Sequence, residues 1–543
     1  MTSNEGDTRT SSWKEETKEQ EEEQEEKEQE EEKEEQDSSE RKNRACELYR
    51  RLRVTQEMER ALNDAVYDQP DDLYGYLATF FMERSAPARI SRLGGLEVYD
   101  SEGQPSVRAQ VMCTVHNQLK PMASAGIPAS VGGGGLSPDT GERRAHHVST
   151  ALGWISGPLS DLLKGRDPCD QTGVDHILGK GKKAGERGKR GTSALKPLPP
   201  GVPPEPEVPG STAVGAVSLA VVKSGALIRD VPLYKHIAAL SHQSEFRVPV
   251  PMVTLLSCGK SSLGKLNLLE EVMLVPRPGQ RIRQVVSTAL QIHQELTRMI
   301  GCTSTKPGVR VISHANLEET LPSSLTIGQP TGAAVPSQAG AALVACDRPE
   351  QALDLVAEAC RGLGLTLGKE VRLALNCAAH QLMDYSRGKY EAMAGSPKSP
   401  DELVDMYQAL VLRYPAVVAL IQPLRTEDVD QWERLNSVIG ASCSLLCDMS
   451  GQPPSQAPPP GVKGHVLQQV NGTTNDAVGL GVAYVSLGGL QGTQQLAKYN
   501  RLIAIEEELA QQGILVSREK LPPPLCADDA SLAEEEKEEE KEA

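Results

Sequence analysis

Aromatic residues are scarce in this chain of 543 residues, and it lacks long apolar runs and closely paired cysteines. Only 3% of its residues are aromatic, with three Phe and three Trp. No apolar run approaches the roughly 18 residues that a membrane-spanning helix requires. The eleven cysteines include no Cys-x-x-Cys pair, and the N-terminus has no signal-peptide pattern. These absences predict reduced thiols in a soluble, cytoplasmic protein without a membrane partner.

Basic residues are also outnumbered by acidic ones, and the formal net charge is -17. This excess of negative charge argues against a nucleic-acid partner. Much of the negative charge lies in the terminal segments 1–44 and 525–543, which we expect to be solvated tails, either disordered or helical and charged. A third segment, 180–210, is first basic and then Pro-rich. It could be a nuclear or nucleic-acid patch, but without interleaved aromatic residues a disordered, flexible insertion is favoured.

Residues 45–88 carry the pattern of two amphipathic helices joined by a turn at residues 70–72. Such a hairpin is too small to bury an apolar face alone. It resembles the dimerisation hairpins of the Dpy-30 and regulatory-subunit type, which pair into four-helix bundles and bind an amphipathic partner helix. The alternative is an extra helical pair packed on the main domain. The second helix places these side chains on one face: Leu73, Tyr76, Leu77, Phe80 and Phe81.

From residue 248 onward, short apolar segments alternate with amphipathic helical patterns, which predicts β/α units around a mainly parallel sheet. Within the helical pattern of residues 282–300, His293 lies at the edge of the apolar face and is predicted to be a packed side chain rather than a ligand. Cys443 and Cys447 flank a segment typical of a buried strand, so they are predicted to be inert thiols.

Three separated segments resemble the landmark sequences of one enzyme family. They are residues 98–101 (Val-Tyr-Asp-Ser), 231–236 (Val-Pro-Leu-Tyr-Lys-His) and 496–500 (Leu-Ala-Lys-Tyr-Asn), the last followed by Ile-Glu-Glu-Glu-Leu at 505–509. In order and spacing they resemble enolase. The resemblance implies an enolase-type α+β N-terminal domain over 89–247, then a (β/α)8-like barrel over 248–524, with the helical hairpin added in front.

The barrel is expected to differ from that of other enolases near its C-terminal end. The segment 471–496 is much shorter than the equivalent segment of familiar enolases. Residues 479–489 would supply a seventh strand, with Leu487 where the family has a histidine, and nothing remains for the eighth. The barrel is therefore either remodelled or incomplete, and a missing unit would leave open sheet edges.

The resemblance implies phosphopyruvate hydratase activity, the glycolytic conversion of 2-phosphoglycerate, a small phosphorylated acid, to phosphoenolpyruvate with Mg²⁺. Barrel enzymes place their chemistry at the C-terminal ends of the strands. The three positions that hold the family's magnesium-binding carboxylates correspond here to Asn376, a weak ligand, Ile421, which is no ligand, and Asp448. A shift of one residue would replace Asp448 with Cys447. We expect weakened magnesium binding.

The family's acid, base and substrate positions are also largely replaced. Glu271 matches a catalytic glutamate that assists hydroxide departure, and the adjacent Glu270 is a weaker candidate. Ser262 stands at the position of a substrate-binding histidine. Gln469 stands at the position of the base lysine, and glutamine cannot abstract a proton from carbon.

The added hairpin and the long insertion also resemble the divergent, sperm-type vertebrate branch of the family. Two hypotheses about function follow. In the first, the chain is a hydratase with a rearranged site. In the second, it is a weak or inactive scaffold subunit of the sperm flagellum. The expected partner is a second copy in a homodimer or another enolase in a heterodimer, with an amphipathic helix as a further partner of the hairpin.

Overall fold

The computed structural model of this chain describes residues 39–100, 103–128, 138–186, 208–262, 264–302, 309–311, 340–448, 458–468 and 474–516. The chain divides after Pro87 into two compact units. Most of both predicted tails, residues 187–207 of the predicted insertion, and Gln469 lie outside the described residues.

The described part of the first unit contains three helices: α1, which is described from residue 39 to residue 51, α2 (Val54–Asp68) and α3 (Leu73–Glu83). The predicted turn between α2 and α3 is observed, and Asp72 caps α3 because its Oδ1 accepts the backbone N–H of Gly75 at 2.9 Å. The predicted first helix is instead two helices, since Arg53 adopts a left-handed conformation with φ 51° and ends α1. The buried side chains of α2 and α3 are Ala61, Ala65 and Phe80.

The second unit begins with a three-stranded antiparallel sheet in the order β1-β2-β3. Helices then pack on this sheet, so the α+β arrangement predicted for this region is confirmed. The apolar faces of β2 and of the long helix α7 form much of its core. The elements are β1 (Arg89–Tyr99), β2 (Pro105–Val115), β3 (Gln118–Pro128), α4 (Pro138–Trp154), a π-helix (Ile155–Leu159), α5 (Ser160–Leu163), α6 (Gln171–Glu186), α7 (Thr212–Ile228) and α8 (Leu233–Leu240).

A closed barrel of seven strands follows. Its second strand is antiparallel to both neighbours, and the other five strand pairings around the barrel are parallel. The last strand pairs with the first, with Tyr484 opposite Val250 and Ser486 opposite Met252. In spatial order the strands are β4 (Val250–Ser257), β5 (Glu271–Val275), β8 (Arg372–Asn376), β12 (Val417–Ile421), β13 (Ser444–Asp448), β14 (Val462–Gln468) and β15 (Tyr484–Ser486).

Helices and two further groups of short strands surround this barrel. The strands β6 (Val309–Val311) and β7 (Ala342–Cys346) pair antiparallel and extend the sheet beyond β4, while β9 (Met383–Asp384), β10 (Lys389–Met393) and β11 (Ser396–Lys398) form a separate three-stranded antiparallel sheet. The helices are α9 (Ile282–Cys302), α10 (Pro349–Gly362), α11 (Pro400–Arg413), α12 (Val429–Ile439), α13 (Thr474–Gly479) and α14 (Thr493–Gln511).

Barrel closure favours the first of the two expectations for this end of the chain: the barrel is remodelled, and the shortened segment leaves no open sheet edge between β14 and β4. The strand β15 occupies the closing position beside β4 and leads directly into α14, the helix that carries the Leu-Ala-Lys-Tyr-Asn landmark. The shortened part of the chain therefore lies between β14 and β15 rather than after β15. A seven-stranded barrel closes here because β15 hydrogen-bonds to β4 on one side and to β14 on the other.

The barrel strands separate two apolar layers, as expected when successive side chains of a strand point to opposite faces. An inner cluster fills the barrel and includes Met252, Ile421, Leu446 and Tyr484. An outer cluster lies between strands and helices and includes Leu375, Leu420 and Cys447.

Among the described helices, no single one is both long and apolar enough to cross a membrane, and only α7 and α8 together, bent by 106° at their junction, reach that length and composition.

Candidate functional site

The candidate site lies at the end of the barrel where the parallel strands terminate. There the antiparallel strand β5 begins with Glu271, which stands opposite Asn376 at the end of β8. Ile421 at the end of β12 is opposite Asn376 on one side and Leu446 on the other. Four predicted site positions on adjacent strands are thereby brought to one end of the barrel: Glu271, Asn376, Ile421 and Asp448.

Glu271 is held at this end by hydrogen bonds to both of its carboxylate oxygens. The amide Nδ2 of Asn376 donates to its Oε2 at 2.9 Å, and the Thr254 hydroxyl donates to its Oε1 at 3.2 Å. Burial raises the pKa of Glu271 above its ordinary value, and these two hydrogen bonds only partly oppose that rise. A carboxyl group in this setting retains its proton more readily than one in water.

Asn376 has one unsatisfied group. Its side chain is only 4% exposed, and its Oδ1 has no hydrogen-bond partner within the described part of the chain. An unsatisfied buried acceptor costs about 1–3 kcal/mol. The free oxygen is therefore an acceptor held at the predicted position of a weak metal ligand.

Thr254, whose hydroxyl donates to Glu271, shares a backbone hydrogen-bond acceptor with Tyr499. Tyr499 of α14 is fully buried, and its hydroxyl donates to the backbone oxygen of Gly488 at 2.6 Å. The backbone N–H of Thr254 donates to the same oxygen at 3.0 Å. Burial raises the pKa of Tyr499, and the nearby Glu271 carboxylate raises it further. Sequence reasoning missed both residues, although Tyr499 lies inside the Leu-Ala-Lys-Tyr-Asn landmark.

Ile421, an apolar residue, stands at the predicted position of a metal-binding carboxylate. It is fully buried in the cluster that fills the barrel. Its strand neighbours on this level, Asn376 and Leu446, supply no carboxylate either. The residue predicted at the central ligand position is thus part of the apolar core.

The strand pattern decides between Asp448 and Cys447. Leu446 belongs to the inner cluster and Cys447 to the outer one, so Asp448 has the inward parity of Leu446. The backbone N–H of Asp448 donates to Oε1 of Gln422 at 3.2 Å, which ties the ends of β13 and β12 together. His380 is a further group at this rim. Desolvation lowers its pKa, and the Asp448 carboxylate opposes that effect.

Glu270 and Ser262 belong to a loop beside the candidate site. The Ser262 hydroxyl donates to the backbone oxygen of Gly259 at 2.9 Å and accepts the N–H of Gly264 at 3.3 Å, so this side chain fastens its own loop. The Glu270 carboxylate lies against Gly259, where an added Cβ would stand 2.6 Å from its Oε2. Ser262 is thus held by its own loop, whereas the backbone N–H of Glu270 donates to the backbone oxygen of Asn376 at 2.8 Å.

The side chains predicted to be inert are packed as expected. His293 is buried on α9, and burial lowers its pKa. Cys443 and Cys447 are free, buried thiols, and burial raises the pKa of both, that of Cys447 to about 12. Thiols held protonated in this way are poor nucleophiles and ligands.

The donor set does not fit the magnesium site that the resemblance implies. Mg²⁺ requires octahedral oxygen ligands, usually with carboxylates among them. In the described ranges no group of three or more His, Cys, Asp or Glu side chains is arranged to hold a metal ion. The candidates that remain are the Asn376 amide oxygen and Asp448, separated along the barrel rim by the strand that ends at Ile421.

Comparisons with known proteins agree with this fold. The family model described as "Enolase, C-terminal TIM barrel domain" matches residues 245–449. Enolase 4 of Danio rerio is 40% identical over 87% of this chain and 92% of its own length. Enolase 4 of Homo sapiens is 33% identical over 88% of this chain and 90% of its own length, and the enolase of Solanum lycopersicum is 25% identical over 79% and 97%. The chain therefore belongs to the enolase family.

Proposed function

We propose that this chain is an enolase-family scaffold subunit in which phosphopyruvate hydratase activity is lost or strongly reduced. The observation that carries this proposal is the burial of Ile421 in the apolar barrel interior, at the position where the family has a magnesium-binding carboxylate. An apolar core side chain there supplies no ligand, and its neighbours in the same cluster are apolar as well.

Two further replacements support the proposal. A base is needed to remove the proton from substrate, and general acid and base groups contribute about 10²–10⁴-fold each to a rate. Gln469, at the position of that base, has no side chain able to accept a proton from carbon. Asn376 offers magnesium one neutral oxygen, while its amide nitrogen is used by Glu271. Magnesium binding is accordingly weakened.

The test is formation of phosphoenolpyruvate from 2-phosphoglycerate by the purified full chain, with magnesium and with a chelator. We expect no magnesium-dependent turnover above about 10⁻⁴ of the rate of an active enolase measured in parallel, because base and ligands are both replaced. Circular dichroism of the same sample establishes that it is folded. Magnesium-dependent turnover by the wild-type chain above that level would overturn the scaffold proposal.

A second candidate function is residual hydratase activity that uses Glu271. The observation in its favour is the raised pKa of Glu271, because a carboxyl group that keeps its proton near neutral pH can act as a general acid toward a departing hydroxide. Asn376 and Thr254 would then orient this group. The substrate would be the family's small phosphorylated acid.

Variants separate the two candidates. Residual activity that is lost in Glu271→Gln and kept in Glu433→Gln, an exposed glutamate of α12, would support the second candidate. Equal rates in the wild-type chain and both variants would exclude it. A heterodimer with an active enolase, in which this chain contributes assembly alone, is compatible with the scaffold function.

We further propose a cytoplasmic and flagellar location, supported by the resemblance to the sperm-type vertebrate branch of the family. Immunolocalisation in sperm tests this assignment. Signal confined to the cell body would contradict it.

A further inference from the structure

The side chains that point into the barrel change character at the end where the parallel strands terminate. Below this end they form the apolar inner cluster, which includes Met252, Leu446 and Tyr484. Because successive side chains of a strand alternate between its two faces, the next inward position toward this end lies two residues beyond a member of that cluster. On β12 this position is Ile421. On the other six strands it carries a polar side chain, and we call this set the mouth ring: Thr254, Glu271, Asn376, Asp448, Gln468 and Ser486.

Contacts between neighbouring strands hold members of the mouth ring together. The Thr254 hydroxyl and the Asn376 amide both donate to the Glu271 carboxylate, at 3.2 Å and 2.9 Å. On the other side of the barrel, Gln468 stands opposite Ser486 where β14 pairs with β15. The ring therefore continues from strand to strand at one end of the closed barrel.

One polar atom of the mouth ring lacks a partner. The Oδ1 of Asn376 accepts no hydrogen bond from any described residue, although its side chain is only 4% exposed. A buried acceptor is costly unless a donor satisfies it, and a bound molecule can supply that donor. Glu271, Asp448 and Gln468 are half-buried, so the ring is partly open to solvent and a small ligand can reach it.

The mouth ring contains no basic residue. Its two ionisable side chains are the carboxyl groups of Glu271 and Asp448, and the other four are neutral hydroxyl or amide groups. Anionic ligands are bound by cationic side chains or by backbone N–H groups directed at them. A phosphorylated acid would meet two carboxyl groups here and no cationic side chain of the ring. The ring is therefore poorly suited to an anion.

The two carboxyl groups do not make the mouth ring a cation site. Both oxygens of Glu271 already accept hydrogen bonds from within the ring. The acceptor without a partner is the neutral amide oxygen of Asn376. A ligand hydroxyl can both donate and accept, as can the hydroxyl and amide side chains that make up most of the ring. The chemistry of the ring thus matches an uncharged ligand with several hydroxyl groups.

We propose that the barrel mouth binds a small, uncharged polyhydroxyl compound, with Asn376 Oδ1 accepting from one ligand hydroxyl and with Gln468 and Ser486 contacting others. An eight-stranded barrel is just wide enough to hold its own side chains or one small ligand, and this barrel has seven strands. The ligand is accordingly a polyol of few carbon atoms. This inference goes beyond the scaffold function, because it gives the barrel a ligand without a reaction.

The first experiment compares neutral and charged probes of similar size. Saturation-transfer difference NMR measures binding of erythritol, a neutral four-carbon polyol, to the full chain in the presence of a chelator. We expect millimolar affinity for erythritol. The anion 2-phosphoglycerate and the cation ethanolamine should each bind at least about tenfold more weakly, because neither charge gains a partner in the ring. Absence of transfer to erythritol at tens of millimolar, or binding of either charged probe as tight as that of erythritol, would overturn the proposal.

The second experiment locates the bound polyol. Asn376→Leu removes the unpartnered oxygen at similar volume and should weaken erythritol binding by about tenfold or more. Ser486→Ala is a smaller change that keeps the test open where Asn376→Leu does not fold, and it should weaken binding about threefold or more. Asn500→Leu, at an exposed position of α14, is the control and should bind as the wild type does. Circular dichroism establishes the fold of each variant. Equal affinity in all folded variants would place the polyol elsewhere and contradict the proposal.

These measurements are separate from the turnover assay. Erythritol binding is measured without magnesium, whereas the hydratase assay requires it. Failure of the chain to bind erythritol removes this inference alone, and magnesium-dependent formation of phosphoenolpyruvate removes the scaffold function alone.

Discussion

Glu506 of α14 accepts the backbone N–H of Ile282, the first residue of α9, at 3.1 Å from its Oε2. The carboxylate is 3% exposed and stands at a helix N-terminus, where unsatisfied N–H groups and the helix dipole favour a negative charge. The acidic landmark at residues 505–509 is thus explained by packing of the last helix on the barrel. Its neighbour Glu508 accepts a hydrogen bond from the Tyr234 hydroxyl at 2.8 Å.

Replacing Glu506 with Ala should lower the free energy of unfolding by about 1–3 kcal/mol, because a buried helix-terminal donor loses its acceptor. Thermal and urea unfolding of the full chain measure the change. Glu507→Ala is the matched control, since its ion pair with Arg283 is exposed and should contribute little. Equal losses in the two variants would refute the capping role.

The stability of the wild-type chain should depend on the protonation of Glu271. Its pKa in the folded state is raised, so the folded chain binds more protons than the unfolded chain above the unfolded value of about 4.3. The free energy of unfolding should therefore fall as pH rises through the window between the unfolded and the folded pKa. Glu271→Gln removes this pH dependence. The glutamine side chain can still accept a hydrogen bond from Asn376 and can donate one to Thr254.

We expect Glu271→Gln to be at least as stable as the wild type at neutral pH. Its free energy of unfolding should not show the wild-type decrease between about pH 4.3 and the raised pKa of Glu271. Unfolding curves of the wild type, Glu271→Gln and Glu433→Gln across that range provide the measurement. Parallel curves for all three proteins would show that Glu271 titrates at its ordinary value.

The sequence predicted the α+β domain and the barrel because local patterns report them. Alternating apolar strands, amphipathic helices and the three landmark segments are all visible within short windows. The capped turn at Asp72 belongs to the same class, since its acidic side chain and the preceding Pro70 are adjacent in sequence. Interruption of the first predicted helix at Arg53 was missed because Arg is not one of the residue types, chiefly Gly and Asn, that mark a left-handed backbone in a sequence.

Barrel closure could not be predicted, since it depends on pairing between residues far apart in sequence. Ser486 stands opposite Met252, and no local pattern specifies that contact. Which side chains at the end of β13 point into the barrel could not be predicted either, because it depends on the register that places Leu446 opposite Ile421. The same register identified Asp448 rather than Cys447 as inward-facing. Thr254 and Tyr499 were missed because their roles arise only when β4, β15 and α14 meet at Gly488.

Tyr499 should stabilise the seam between β15 and β4. Its hydroxyl donates to the Gly488 oxygen, which also accepts from the backbone of Thr254. Tyr499→Phe should cost about 0.5–1.5 kcal/mol of unfolding free energy, the net value of one hydrogen bond, while the ring remains packed. Tyr99→Phe, at a 71% exposed position, should be neutral in the same unfolding experiment. A neutral Tyr499→Phe would mean that the seam is held by strand pairing alone.

Restoring a carboxylate at the end of β12 provides the sharpest test of the barrel interior. In Ile421→Glu the new side chain must either bury a charge in the apolar cluster or hold its proton there, and both destabilise the fold. We expect a loss of about 3 kcal/mol or more at neutral pH, against about 0.5–1.5 kcal/mol for the control Ile421→Val. Unfolding is measured with and without magnesium. Because Asn376 and Asp448 do not complete a ligand set, magnesium should restore little of this loss, and full recovery on adding magnesium would show that the barrel still holds a metal site.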